Sequence, residues 1–237
     1  MARGLFVTGT DTGVGKTVVA SALVGAFRER GLDVVGMKPV ETGCLRRGPE
    51  LEPADGAMLR EASGGEEPLS AICPLRFAHP LAPLVAAELE GRTIEQGSLM
   101  RAVRELAARH DALVVEGVGG LLVPVAPGFS VADMAREAGF PLLVVTSAFL
   151  GTLNHTLLTV EHALGAGLSV AGVVLCLHRA PGGTLAEETN PAALRRLLPV
   201  PLLGVFPFLA DLSARSLAQG AREALDLGAV EKNLRAV

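Results

Sequence analysis

Leu5-Phe6-Val7-Thr8-Gly9-Thr10-Asp11-Thr12-Gly13-Val14-Gly15-Lys16-Thr17 opens the chain, and an Ala/Val-rich run from Val18 to Phe27 follows it. A short apolar strand delivers a glycine-rich loop whose backbone N–H groups can close around an anion. The helix that begins near Gly15 aims its positive end at the same place. Lys16 is set to neutralise β- and γ-phosphates, and the Thr17 hydroxyl to sit on Mg²⁺. The usual spacing is GxxxxGK[ST]; here its first position is Thr10, with the glycine one residue earlier at Gly9. Gly13, Gly15, Lys16 and Thr17 between a strand and a helix nevertheless predict a nucleotide site, against the plainer alternative of a turn that binds nothing.

Outward from this stretch, short Val/Leu/Ile runs recur between segments of helical spacing, as in parallel strands covered on both faces. Strands are predicted near 4–9, 33–38, 72–76, 112–116, 141–146, 170–177 and 201–206. Helices are predicted near 15–30, 55–62, 80–90, 94–109, 131–138, 152–166, 190–198 and 213–225. The fold class this implies is α/β, a P-loop-like, doubly wound and mainly parallel sheet with helices on both faces. Thr93-Ile94-Glu95-Gln96 has the form of a capping box, with Leu99, Val103 and Leu106 recurring on one face of the helix it would start. No internal repeat or linker interrupts 1–237, which reads as one domain.

Composition narrows the function classes. The chain has 237 residues, 49% apolar and 19% charged, which suits a packed globule. Its 21 basic and 25 acidic residues give a net charge of −4, so no global field draws it to nucleic acid or anionic lipid. Cys44, Cys73 and Cys176 are odd in number and share no CxxC spacing, so neither a disulfide framework nor a zinc site is expected, and a reducing cytoplasm is. No secretory leader is read at the N-terminus, where the strand and phosphate loop stand. Residues 138–160 lack Asp, Glu, Lys and Arg, yet Pro141, Gly151, Asn154 and His155 divide them into a strand and a helix too short to span a membrane.

In open α/β sheets ligands bind beyond the carboxyl ends of the strands. The second strand ends in Lys38-Pro39-Val40-Glu41-Thr42-Gly43, and another in Glu116-Gly117-Val118-Gly119-Gly120. A lysine after a strand is commonly a solvated end residue. Here it must reach the same rim as Lys16, and two converging ammonium groups call for a multiply charged anion between them, so Lys38 is a candidate for stabilising a transferred phosphoryl group. Glu116 is either a strand-end surface acid or a Mg²⁺ ligand; Asp55 is either a second ligand or an acid at a helix N-terminus. His79, His110, His162 and His178 read as structural or exposed. His155, after Asn154, reads as a cap or a substrate contact.

Taken together, Gly9-Thr10-Asp11-Thr12 with Val14-Gly15-Lys16-Thr17, Lys38-Pro39-Val40 with Thr42-Gly43, Val115-Glu116-Gly117 with Gly119-Gly120, Leu150-Gly151 with Asn154-His155, and Pro201-Leu202-Leu203-Gly204 with Pro207 resemble the dethiobiotin synthetase family in order and nearly in spacing. The resemblance implies an ATP- and Mg²⁺-dependent ligase of biotin synthesis. It would make dethiobiotin from 7,8-diaminopelargonate and CO₂ through a carbamate and a carbamic–phosphoric anhydride. It further implies a cytoplasmic homodimer that takes small-molecule substrates and neither nucleic acid nor membrane.

Carried over by position, Gly13, Val14, Gly15, Lys16, Thr17 and Val18 would hold the phosphates, with Gly117, Val118 and Gly119 continuing the nucleotide site. Thr17, Asp55 and Glu116 would hold Mg²⁺. Lys38, with Lys16 beside it, would stabilise the carbamate and the migrating phosphoryl group. Thr12, Thr42 and Lys38 would contact the substrate, and Asn154 its tail from across the dimer interface. Pro207, Phe208 and Leu209 would flank the base. The family's best-known members read adenine with an Asn-Asp pair where this chain has Cys176 and Leu177, so backbone and apolar contacts would hold the base here. The chain also lacks Tyr and Trp.

Two rival classes share these elements. A partitioning or positioning ATPase would carry an extra lysine early in the loop, where Asp11 stands, and a basic face or amphipathic tail that 225–237 does not supply. An amide-forming ligase of cofactor synthesis would carry a further glutamine-hydrolysing domain, for which no length remains.

Overall fold

The computed structural model describes residues 3–180 and 182–234. In chain order these form β1 (Arg3–Gly9), α1 (Lys16–Arg28), β2 (Val34–Met37), β3 (Val40–Thr42), β4 (Leu45–Arg47), β5 (Glu50–Glu52), α2 (Ala54–Ala62), α3 (Leu69–Ile72), β6 (Leu75–Phe77), α4 (Pro83–Leu89) and α5 (Gln96–Ala107). They continue with β7 (Ala112–Gly120), β8 (Pro124–Ala126), β9 (Phe129–Ser130), α6 (Val131–Ala138), β10 (Leu142–Ser147), α7 (Thr152–Gly165), β11 (Val170–Cys176), α8 (Leu185–Leu197), β12 (Leu202–Phe206), α9 (Ala214–Ala224) and α10 (Leu227–Leu234).

The main sheet runs β12-β11-β10-β1-β7-β2, parallel throughout, with helices on both faces. The opening strand lies inside it, paired on one side with β10 and on the other with β7. That position explains its uninterrupted apolar run: Leu5, Phe6 and Val7 are fully buried, because both faces of an inner parallel strand are covered. Because the strands are parallel, their carboxyl ends share one rim. The glycine loop, Lys38 and Pro207 therefore leave the sheet on the side toward which Glu116, within β7, and Cys176, at the end of β11, also lie. A hydroxyl chain braces this rim from beneath. Thr10 donates to Thr146 at 3.2 Å, Thr156 to Thr146 at 2.9 Å, and the Thr152 hydroxyl lies 2.6 Å from that of Thr146, joining the loop to β10 and α7.

Three expectations are corrected. The run near 72–76 is not a strand of the main sheet: Ile72 ends the one-turn helix α3, and β6 pairs with β3 in a separate ladder. Pro74 breaks the apolar run, and Ile72 owes its apolarity to burial of a helical turn rather than to a pleat.

The helix α5 is not started by Thr93. Glu95 is its N-cap without a side-chain bond, and the Gln96 amide donates to Glu137 at 3.1 Å instead of reaching back. Leu99, Val103 and Leu106 do form its buried face. Full capping boxes form instead at Ser130 with Asp133 and at Thr184 with Glu187. The second one starts α8 at Leu185, ahead of the predicted 190, and leaves Pro191 inside the helix.

Candidate active site

Gly13 and Gly15 take left-handed backbone angles, φ 74° and 97°, which L side chains avoid. They turn the chain from β1 into α1, and Gly13, Gly15, Lys16, Thr17 and Val18 line the hollow there. Gly15 is constrained twice, since a Cβ there would lie 2.5 Å from Cys176 Sγ. Cys176 thus packs beneath the phosphate loop, fully buried, and burial pushes its thiol up to about 12.

Lys16 begins α1, and its ammonium donates to the Asp11 carbonyl at 2.9 Å, folded over its own loop. Burial, reinforced by the Lys38 charge, lowers its pKa to about 8. Next to it Thr17 donates its hydroxyl to Glu116 Oε1 at 2.9 Å. Glu116 stands midway along β7, which continues to Gly120, and is 1% exposed.

Lys38 leaves β2 and enters the same hollow, 3% exposed. Its ammonium pairs with Glu116, lies 2.7 Å from Asp55 Oδ2 and donates to the Gly117 carbonyl at 3.3 Å. Burial alone would lower its pKa, but the Glu116 and Asp55 carboxylates outweigh it, so Lys38 stays charged. Asp55 shows the converse: burial would raise it, and Lys38 holds it below the usual carboxylate range. Burial pushes Glu116 up against the pull of Lys38. The two ammonium groups converge as expected, but the charge of Lys38 is offset by two carboxylates rather than facing an anion alone.

These groups line one open hollow of about 690 Å³, shared with Thr12, Gly13, Gly15, Val18, Thr42, Val118 and Gly119. Val14 and Gly117 are buried outside the lining, as is Cys176. Leu177 and Pro207 are half-buried beyond the ends of β11 and β12. Phe208 is 39% exposed there, followed by half-buried Leu209. Asn154 is exposed in the first turn of α7, outside the hollow.

The donor set fits a small hard cation. Glu116 Oε2 is buried and has no hydrogen-bond partner, which leaves an anionic oxygen available beside the Thr17 hydroxyl and the Asp55 carboxylate. Among the described residues no three His, Cys, Asp or Glu side chains cluster as a metal centre. Two carboxylates and one hydroxyl suit Mg²⁺, which keeps water and phosphate oxygens in its shell.

Sequence reasoning missed part of the wall. Glu41, Met58, Pro80, Leu81, Ala82, Val123 and His178 also line the hollow. Pro80-Leu81-Ala82 arrive from the loop after β6, the element misassigned to the main sheet. His178 reads as structural in sequence, but it follows β11 onto the rim and its Nδ1 is buried without a partner. Its place directly after a strand was the available signal.

Residues 3–216 match the family model described as an AAA domain. The chain is 52% identical, over 92% of its length and 96% of the relative's, to the ATP-dependent dethiobiotin synthetase of Anaeromyxobacter dehalogenans (strain 2CP-C). The chain belongs to the ATP-dependent dethiobiotin synthetase family. A more distant member, from Thermodesulfovibrio yellowstonii, is 39% identical over 97% of this chain and 99% of its own. Among solved structures, the septum site-determining protein MinD of Pyrococcus horikoshii, complexed with Mg-ADP, superposes with a TM-score of 0.57 at 17% identity, covering 94% of this chain and 96% of its own. Cobyrinic acid a,c-diamide synthase of Mycobacterium smegmatis, with bound ATP analogue and magnesium, gives 0.56 at 16% identity and 92% coverage of both chains. Both rival classes thus share the fold of this dethiobiotin synthetase family member, and likeness at that identity speaks for the fold alone.

Proposed function

We propose that the chain joins 7,8-diaminopelargonate and CO₂ at the expense of ATP, giving dethiobiotin, ADP and phosphate. The observation that carries this reading is the meeting of Lys16, Thr17, Lys38, Asp55 and Glu116 around one hollow in a chain of this family.

One amine of the substrate attacks CO₂, forming a C–N bond and losing a proton to give a carbamate. A carbamate oxygen then attacks the γ-phosphorus and ADP leaves, producing the mixed anhydride. The second amine attacks the anhydride carbonyl, the ring closes and phosphate departs.

The protein supplies placement and charge for these steps. The N–H groups of the Gly13–Val18 turn and the Lys16 ammonium bind the triphosphate, and Val118 and Gly119 line the same hollow. Lys38 is our assignment for the group that meets the carbamate and the migrating phosphoryl. It is held charged, and its carboxylate partners yield it once anions enter. Thr12 and Thr42 offer hydroxyls to the diamine. Thr17, Asp55 and Glu116 would hold Mg²⁺, which when bound neutralises phosphate charge and orients the transferred group.

The base would rest against Leu177 and Pro207 to Leu209, with Cys176 shaping the loop from below. We further assign residues 1–237 to a single ligase domain, working in the cytoplasm as a homodimer. Asn154, exposed on α7, would reach the substrate tail of the partner subunit. No helix among the described residues is long and apolar enough to cross a membrane.

Phosphate release with ATP, CTP or GTP, with and without the diamine and bicarbonate, tests the reading. Release that depends on the diamine is expected. Equal release in its absence, with a response to DNA or lipid vesicles, would instead mark a switch ATPase.

A further inference from the structure

Asp55 is gripped from two directions by one short segment of chain. Lys38 holds its side chain at 2.7 Å, and three residues later Glu41 holds its backbone, accepting from the Asp55 N–H at 3.1 Å and from the Gly56 N–H at 2.9 Å. These two N–H groups belong to the first turn of α2, whose N-cap is Pro53 and makes no side-chain bond. A helix start leaves its first N–H groups without partners, and a proline at the cap has no side-chain acceptor to offer them. Glu41, 5% exposed on β3 and lining the hollow, supplies both acceptor oxygens from outside the helix.

We propose that Glu41 is a positioning residue for the divalent-cation site, acting through Asp55. This rests on the assignment of Asp55 as a cation ligand. By fixing the first turn of α2, Glu41 sets the origin of the Asp55 side chain, which then spans to the edge where Thr17 and Glu116 meet. Without it the first turn can fray, and the Asp55 carboxylate loses its fixed distance from the other two oxygens. Glu41 itself touches neither cation nor substrate in this role. A charged residue on the wall of a ligand hollow would otherwise suggest direct contact with the substrate, but each of its oxygens already accepts from a backbone N–H at the start of α2.

The test uses the full chain saturated with ADP and Mn²⁺ as the probe, with free Mn²⁺ read by electron paramagnetic resonance. Glu41→Ala is expected to raise the Mn²⁺ Kd about tenfold or more, the range seen when groups that orient metal ligands are lost. ADP affinity measured without metal should stay within about twofold of the parent, since the hydrogen bonds of the Glu41 carboxylate to backbone go to the start of α2.

Glu41→Gln should also raise the Mn²⁺ Kd, because one of its two terminal atoms becomes a donor facing an N–H. A merely structural role would lower the Tm and leave the Mn²⁺ Kd where it was. An unchanged Kd in the Glu41→Gln protein overturns the proposal even should Glu41→Ala fail to fold. A parent protein that makes no dethiobiotin would undo the proposed reaction and leave this comparison intact.

Discussion

Thr17 and Glu116 meet at 2.9 Å although 99 positions separate them in the chain. One lies in the first turn of the helix after β1, the other midway along β7, and β1 and β7 are neighbours in the sheet. Their contact therefore follows from strand order. It places the hydroxyl of a phosphate loop against a buried carboxylate, with Lys38 and Asp55 completing a compact group of two cations, counting Lys16, and two anions.

Removing the central cation exposes what it balances. Lys38→Ala leaves Glu116 and Asp55 facing one another without their shared partner. The Tm of the ligand-free protein should fall, and Mg²⁺ with ADP should recover part of the loss. Diamine-dependent phosphate release should drop by about 10²–10³-fold, the scale for losing one preorganised group that meets developing charge. Retained ADP binding, measured by calorimetry, would separate this from misfolding; full activity would remove Lys38 from the chemistry.

Lys16 has a pKa of about 8 in the ligand-free protein, lowered from an ordinary lysine by burial and by Lys38. Bound phosphates would pull it back up, so ADP binding above pH 8 should take up a proton. ADP affinity should weaken by up to about tenfold per pH unit there, following the linkage slope. The stability effect has the opposite sign. Between about 8 and the unfolded value the unfolded chain binds more protons, so the Lys16 contribution makes ligand-free stability rise with pH in that window. Calorimetry in two buffers of different ionisation enthalpy checks the uptake, and Lys16→Met should abolish it.

Gly15→Ala is expected to fail for two independent reasons. Its φ of 97° disfavours an L residue by about 1–2 kcal/mol, and the new methyl would meet Cys176 Sγ at 2.5 Å. Nucleotide binding should vanish before the fold does. Gly13→Ala has the same backbone problem but open space around the added carbon, so its loss should be smaller. Equal losses would mean that Cys176 contributes nothing to the shape of the loop.

The two candidate caps can be compared directly. Ser130→Ala removes a bonded capping box and should lower stability by about 1 kcal/mol, whereas Thr93→Ala should change it by less than about 0.5 kcal/mol. Urea unfolding curves of the two variants decide between them. A larger loss at Thr93 would contradict the helix start at Gln96.

Much of the site was readable because it belongs to strand ends. Lys38 follows the buried run Val34–Met37 and Glu116 the buried run Ala112–Val115, and parallel strands carry both toward one rim. Glu41 was not readable: it lies on β3, outside the main sheet, and its partners are backbone N–H groups, which carry no letter in a sequence. Pro80 to Ala82 were hidden for a related reason, since the 72–76 run was assigned to the main sheet and its true place beside β3 brings the following loop over the hollow.

By itself, the order of residues determined the alternating architecture, the phosphate loop and the family, because burial on both faces and left-handed turns impose apolar runs and glycines that can be seen one residue at a time. Tertiary structure alone decided that Lys38 stands between Asp55 and Glu116, that Cys176 underlies Gly15, and that Glu41 anchors the start of α2. Such contacts depend on which strands neighbour each other and on distances of a few ångströms across the sheet, and no local pattern along the chain encodes either.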